Sequence, residues 1–234
     1  MVKRHLKRIN APRTWSLARK ERTFTIRPHP GAQPLAATLP LSLFLNMVGA
    51  SASMRSTKYV LNHQDVLVNG RRERRPEAAV GLFDVVSFPL TKSTFRLTIN
   101  TRDTLVAIPV TGKDATTIPS KILSKTVLSG GKLQVGCHNG RTLLTTETYA
   151  VGDTLLLGLD NNVLGHEPLA PGATVFLTGG KHVGTTGVLV GIQDGKATVT
   201  VSGAQNAAGG TVETAQRHVF VLGKEKAAVK VAAE

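Results

Sequence analysis

Across the second half of the chain, short apolar runs are separated by turn signals at near-regular spacing. Gly130-Gly131, Asn139-Gly140, Asp160-Asn161-Asn162 and Asp194-Gly195 mark the breaks. Residues 95–99, 105–110, 173–177, 188–190, 197–201 and 218–222 supply the apolar runs between and around them. Several short strands with Gly- and Asn-containing turns predict small barrels or sandwiches. Apolar residues make up 41% of the 234 positions but aromatics only 4%, which suits small modules packed with Val, Leu and Ile. The expected fold class is therefore α+β, mostly β.

The chain is strongly basic, with 29 Lys and Arg against 15 Asp and Glu and a formal charge of +14. Such a chain attracts polyanions, whether nucleic acid, anionic membrane or acidic protein. No apolar run approaches the roughly 18 residues that a membrane-spanning helix needs. The basic N-terminus lacks the continuous apolar stretch of a secretory signal. Trp15 and the prolines at 12, 28 and 30 sit poorly in an amphipathic transit helix. A single cysteine, Cys137, excludes an internal disulfide and is compatible with a reducing cytoplasm. Nucleic acid is the leading partner; neither a membrane nor a small-molecule substrate is expected.

The charge is concentrated at the front. Residues 1–30 hold nine Lys or Arg against one Glu, whereas residues 111–170 are neutral. The segment 1–39 reads as a basic arm, carrying Lys3, Arg4, His5, Lys7 and Arg8, then Arg13, Arg19, Lys20, Arg22 and Arg27. It buries too little by itself to offset its ordering entropy and is expected to order only against a partner. Trp15 is a candidate for stacking on an exposed base.

Residues 40–94 form the first compact unit. Pro40 suits the first turn of a helix that runs to Gly49, and Ser53 can cap a second one reaching about His63. Val66-Leu67-Val68 then reads as a strand, and Asn69-Gly70 is the strongest short hairpin signal. Arg71, Arg72, Arg74 and Arg75 follow at once, and Asp84 to Phe88 returns as a strand. Arginine's planar fork pairs phosphate bidentately, so this loop is suited to clamp folded RNA.

The run Val66-Leu67-Val68-Asn69-Gly70-Arg71, with Gly81-Leu82-Phe83-Asp84-Val85-Val86 after it, resembles the S-four-type RNA-binding module. That module's dense basic helical face is reduced here to Arg55 and Lys58, which shifts weight to the arginine loop. Downstream, Gly172 and Val175 followed by Thr178-Gly179-Gly180, Gly184, Gly187, Val188 and Ile192 resemble a KOW motif, with Lys181 and His182 at its tip. Glycine there permits positive φ and close approach of backbone to a ligand. The arm's His5-Leu6-Lys7-Arg8, Ala11-Pro12, Trp15, Phe24, Arg27-Pro28 and Leu39-Pro40-Leu41 resemble the N-terminus of the archaeal and eukaryotic small-subunit ribosomal protein family S-four-e. The order of arm, S-four-type module, central β-domain and KOW module matches that family along nearly the whole chain.

The resemblance implies a structural component of the small ribosomal subunit, in the cytoplasm, contacting small-subunit ribosomal RNA and neighbouring ribosomal proteins. RNA contacts are expected from the arm, from Arg55, Lys58, Asn69 and the four arginines, and from Lys181 and His182. The expected architecture is the arm (1–39), the S-four-type module (40–94), a central β-barrel-like domain (95–170), an SH3-like KOW module (171–223) and a Lys/Ala/Glu tail (224–234) of weak helical propensity.

Catalytic readings find little support. No pair of histidines sits at i, i+4 with a glutamate, and one cysteine cannot build a structural zinc site. Cys137-His138 are adjacent, the wrong spacing for a helical dyad, and Cys137 reads as a small buried hydrophobe. Asp153 and Asp160 read as loop carboxylates. Neither a Walker sequence nor a Gly-x-Ser-x-Gly elbow is present. An RNA-modifying enzyme would need a separate catalytic domain of about 150 residues or more, and residues 89–234 offer short strands instead; a free-standing RNA-binding regulator would need no long arm. No cofactor, no metal and no catalytic residue are expected.

Overall fold

The computed structural model describes residues 5–201, 210–224 and 227–231. They divide into two compact units, one running to Ile99 and resuming at Asp103–Ala115, the other taking Asn100–Arg102 and everything from Thr116. No helix among the described residues is long and apolar enough to cross a membrane.

The first unit begins with a two-stranded ribbon, β1 (Leu6–Lys7) against β2 (Phe24–Thr25). Next, β3 (Thr38–Pro40) leads directly into α1 (Leu41–Met47), and α2 (Met54–His63) follows. Ser53 caps α2 in a reciprocal box with Ser56, satisfying backbone donors that the first turn leaves unpaired. The strands β4 (Leu67–Val68), β5 (Arg71–Arg72), β6 (Ala79–Gly81), β7 (Val85–Phe88), β8 (Ser93–Ile99) and β9 (Leu105–Pro109) complete the unit. Five of them form one antiparallel sheet in the order β5-β4-β7-β8-β9, and β6 pairs with β3. Leu39, Leu41, Phe44, Leu45, Leu61, Val66, Phe83 and Val86 are almost wholly buried.

Two expectations change here. The arm is not a solvated tail over its described part: Leu6, Ala11 and Trp15 are buried, and β3 is paired in register with β6. The apolar content that seemed too thin for a core is enough because β3, α1 and β6 already offer a surface to cover. Second, β8 pairs with β7 and β9 pairs with β8, so this hairpin extends the first unit's sheet and that compact unit runs on past residue 94 to Ala115. Strand periodicity announces a hairpin without saying which sheet it joins.

The second unit opens with β10 (Thr117–Val127), β11 (Leu133–Cys137), β12 (Thr142–Thr145), β13 (Thr154–Gly158) and β14 (Val163–Glu167). Their order is β12-β11-β10-β13-β14. The front half of β10 pairs with β13, its back half pairs with β11, and a bulge lies between Ile122 and Ser124. Such a bulge bends the strand and increases its twist, so one strand serves two offset neighbours. The hydrogen-bond order runs from β12 to β14 without closing, where a barrel-like domain was expected. Ile122, Val135, Tyr149, Leu155 and Leu157 form its core. Cys137 is buried, and burial pushes its thiol up to about 11 against the pull of Arg141.

Asp153 lies in the loop before β13, as expected, yet is only 4% exposed. Its carboxylate accepts from the backbone N–H of Leu169 (2.9 Å) and Ala150 (3.1 Å) and lies 2.8 Å from His166 Nε2. This carboxylate fastens the loop after β14 to the start of β13. A loop-like sequence context gave no sign that the aspartate points inward.

The glycine-punctuated module follows, with β15 (Thr174–Leu177), β16 (Thr186–Gln193), β17 (Lys196–Val201), β18 (Thr211–Ala215) and β19 (Val219–Gly223) in the order β18-β17-β16-β15-β19. Val175, Leu177, Leu189, Val199, Val219 and Val221 are its core. Asp194 (φ 50°) and Gly195 (φ 73°) form the expected tight turn between β16 and β17. The strand β18 was not anticipated, since its Thr- and Ala-containing run carries little apolar alternation. Within residues 227–231 the tail, expected to have only weak helical propensity, is not helical; Val229 and Val231 are buried and Ala228 N–H donates to Leu222 O.

Lys121 joins the central sheet to this module. Its Nζ donates to the carbonyls of Gln216 (3.1 Å), Arg217 (3.1 Å) and Val219 (2.6 Å). All three ammonium donors are thereby matched. Burial still holds the amine down at about 8, well below the ordinary lysine range.

Candidate nucleic-acid interface

The arginine hairpin is held from beneath. Asn69 (φ 51°) and Gly70 (φ 80°) both adopt the left-handed conformation that a two-residue hairpin turn requires. Asn69 Nδ2 donates to Asp84 Oδ1 at 2.8 Å, and its Oδ1 accepts from Val85 N–H at 2.9 Å. The other Asp84 oxygen accepts from Gly81 N–H at 2.7 Å. The amide of Asn69 is therefore committed inward, which corrects its reading as an RNA contact: it positions the loop.

Beyond the turn, Arg71 and Arg72 lie exposed on the edge strand β5, with Arg74 and Arg75 exposed after it. Arg72 Nε pairs with Asp65 at 2.8 Å, both side chains being substantially exposed. Such a pair stabilises by at most about 1 kcal/mol and is readily exchanged for a phosphate. Arg71, Arg74 and Arg75 have no ion pair among the described residues. Replacing Asn69 by Ala should destabilise the first unit by about 2–3 kcal/mol, combining left-handed strain with two lost hydrogen bonds. Asn69→Gly should cost less because it keeps the permitted φ; urea denaturation of both variants measures the difference.

On α2, Arg55 and Lys58 are exposed while Thr57 and Leu61 face inward. Tyr59 shares this outer side, 62% exposed and stacked on His63 at 4.1 Å between centroids. Sequence reasoning missed Tyr59, although its i+4 spacing from Arg55 places both on one face.

The cations of the arm divide into outward and structural ones. His5, Lys7, Arg13, Lys20 and Arg22 are exposed, and Arg27 is half-buried. Arg8 pairs with Glu21 at 3.0 Å. Arg19 donates to the carbonyls of Ile9 (3.0 Å) and Pro12 (3.1 Å), stitching the arm's own turn. Lys3 and Arg4 lie outside the described residues. Trp15 is a correction: it is 3% exposed, and its indole N–H donates to Thr38 O at 2.8 Å. An indole closed over the first unit's core has no free face for a base. Phe24, 55% exposed on β2, is the arm's accessible aromatic ring instead.

In the glycine-rich module, Lys181 is exposed and His182 half-buried at the tip between β15 and β16. One glycine at the tip and one on β16 permit close approach of neighbouring strands and side chains. A Cβ on Gly179 would lie 2.5 Å from the ring of His218, and one on Gly187 would lie 2.5 Å from Thr200 O. His218 is held below the ordinary histidine range by burial first, then by the charges of Arg217 and Lys121. Arg217 Nε donates to His218 Nε2 at 3.1 Å, which brings an exposed arginine to the same end as the tip. That cation was missed, since only the fold brings His218, its neighbour in the chain, beside Gly179. Among the described residues no cluster of His, Cys, Asp or Glu could hold a metal ion.

Comparison with known proteins gives three family matches in chain order. Residues 2–35 match the RS4NT domain, residues 91–163 the ribosomal family S4e, and residues 171–202 the KOW motif. The small ribosomal subunit protein eS4 of Methanocaldococcus jannaschii is 33% identical over 240 residues, covering 98% of both chains. The eS4 of Methanosphaera stadtmanae is 32% identical over 231 residues, covering 98% of this chain and 96% of that one. The crystal structure of the 30S ribosomal protein S4e from Thermoplasma acidophilum superposes with a TM-score of 0.66 at 27% identity, covering 80% of this chain and 95% of that one. End-to-end similarity at this level, with three domain models in the order of the observed modules, makes this chain a member of the eS4 family of small ribosomal subunit proteins.

Proposed function

We propose that this protein is a structural constituent of the small ribosomal subunit that binds and stabilises its ribosomal RNA, supporting translation in the cytoplasm. The family is one of structural ribosomal proteins, not of enzymes. The observation that carries the RNA contacts is the pinned hairpin presenting Arg71, Arg74 and Arg75, whose exposed side chains form no ion pair among the described residues. Further contacts come from His5, Lys7, Arg13, Lys20, Arg22 and Arg27 of the arm, from Arg55 and Lys58, and from the Lys181–His182 tip. The helix-helix-strand-turn order of residues 40–94 supports reading it as an S-four-type RNA-binding module, and the sheet from β15 to β19 supports an SH3-like KOW module. Neighbouring ribosomal proteins are the other partners; a membrane and a small-molecule substrate play no part.

Binding proceeds by release of counterions condensed on the RNA as arginine and lysine neutralise phosphates. Duplex segments are read through backbone shape and 2′-hydroxyls rather than base edges. Sedimentation of a cell extract through moderate salt tests the assignment. The protein should travel with small subunits, and quantitative recovery as a free cytosolic protein would overturn it.

A further inference from the structure

A groove of about 500 Å³ runs between the β1–β2 ribbon and the helix pair. Its size falls within the roughly 300–1,000 Å³ typical of small-molecule clefts. Phe24, Met54, Arg8, Arg22, Glu21 and Ser42 line it. Three properties of this lining point to one kind of occupant. Phe24 is 55% exposed and meets the His5 ring edge-on at 5.7 Å, so the ring is braced yet open to a flat partner. Arg22 is exposed at the rim without an ion pair among the described residues, while Arg8 is already neutralised by Glu21. Ser42 is 3% exposed, and its Oγ has no hydrogen-bond partner among the described atoms. A buried hydroxyl left unpaired is costly and marks a position where a polar group of a ligand is favoured.

An aromatic face, a cationic rim, a carboxylate acceptor and an orphan hydroxyl together match a nucleotide. We propose that this groove receives one unpaired nucleotide of the bound RNA. Its base stacks on Phe24, its phosphate pairs with Arg22, and its polar edge meets Glu21 and Ser42. The inference rests on the RNA-binding reading above and adds a site to it. Unpaired bases splayed onto aromatic side chains are the usual means by which proteins recognise RNA beyond its backbone. The acceptor oxygens of Glu21 favour a base edge that bears an exocyclic amino group.

The test uses the full-length protein and two RNA hairpins that differ only by one unpaired 2-aminopurine, a fluorescent base. Wild type should bind the bulged hairpin about tenfold more tightly than the paired one and quench its fluorescence, as stacking on an aromatic ring implies. Phe24→Ala should remove the preference and the quenching while leaving affinity for the paired hairpin unchanged, and Phe24→Trp should restore both. Ser42→Ala should reduce the preference about threefold with no loss of melting temperature. Equal binding of both hairpins by wild type, or a preference that survives Phe24→Ala, would overturn the groove while leaving backbone binding intact. Binding of neither hairpin would remove the RNA-binding reading and the groove with it.

Discussion

Replacing Arg71, Arg72, Arg74 and Arg75 together by alanine is expected to weaken binding to small-subunit RNA by about 10²–10³-fold near physiological salt. Each charge-assisted contact to phosphate contributes on the order of 1–2 kcal/mol net, so the loss of two to three of them accounts for that range. The more diagnostic quantity is the salt dependence. Each neutralised phosphate contributes about 0.7–0.9 to the slope of log K against log salt, so the slope should flatten by about 2–3. Arg72 should contribute least when replaced alone, because it must first release Asp65, which it holds at 2.8 Å. Filter binding between 50 and 300 mM salt, roughly the span over which such slopes are read, measures both effects. An unchanged slope would remove this loop from the interface. Since the side chains are exposed on an edge strand and its loop, the melting temperature should barely move.

The second large effect concerns stability. Lys121→Met is expected to destabilise the second unit by about 2–4 kcal/mol, since three carbonyls lose their donors while the relief of a buried charge offsets only part of that. The pH dependence separates this from simple repacking. Burial holds the amine at about 8 in the folded chain against an ordinary value of 10.5. Between those values the unfolded chain binds more protons, so the lysine's contribution to stability rises as pH increases through the window. Wild type should therefore gain about 1 kcal/mol on the variant between about pH 7 and pH 9, with no further change below pH 7. Urea denaturation at both values gives the gap; an identical gap would mean that the amine titrates as an ordinary lysine.

Local patterns announced most of the elements. Asn69-Gly70, Asp194-Gly195 and the Ser53 cap each act within a few residues, so the chain states them directly. What escaped was governed by distant partners. Trp15 looked like a free aromatic because the Thr38 carbonyl that receives its N–H lies 23 residues away. Asn69 looked like an RNA contact because its amide is claimed by Asp84 and Val85, which only the folded sheet brings near. The hairpin of β8 and β9 carries the same alternation whichever sheet it joins. Of the expected site residues, the cations were proposed from charge alone, and most of them lie exposed. Those whose charge is spent inside the protein, Arg19 and to a lesser degree Arg8, could be separated only by geometry.

The Lys121 contacts also set the timing of the chain's maturation. Their acceptors lie 95, 96 and 98 residues downstream, at Gln216, Arg217 and Val219. During synthesis the first unit can complete its sheet once Pro109 has emerged, because all of its strands lie before that point. The amine on β10 must wait, solvated, until residues 216–219 are made. Domains form in order from the N-terminus as the chain is made, and contacts between distant residues form late. The arginine hairpin is thus in place while residues 216–219 are still to be added. The first unit's sheet is complete ahead of the second unit, whose central sheet and KOW module are joined through Lys121 only when residue 219 is made.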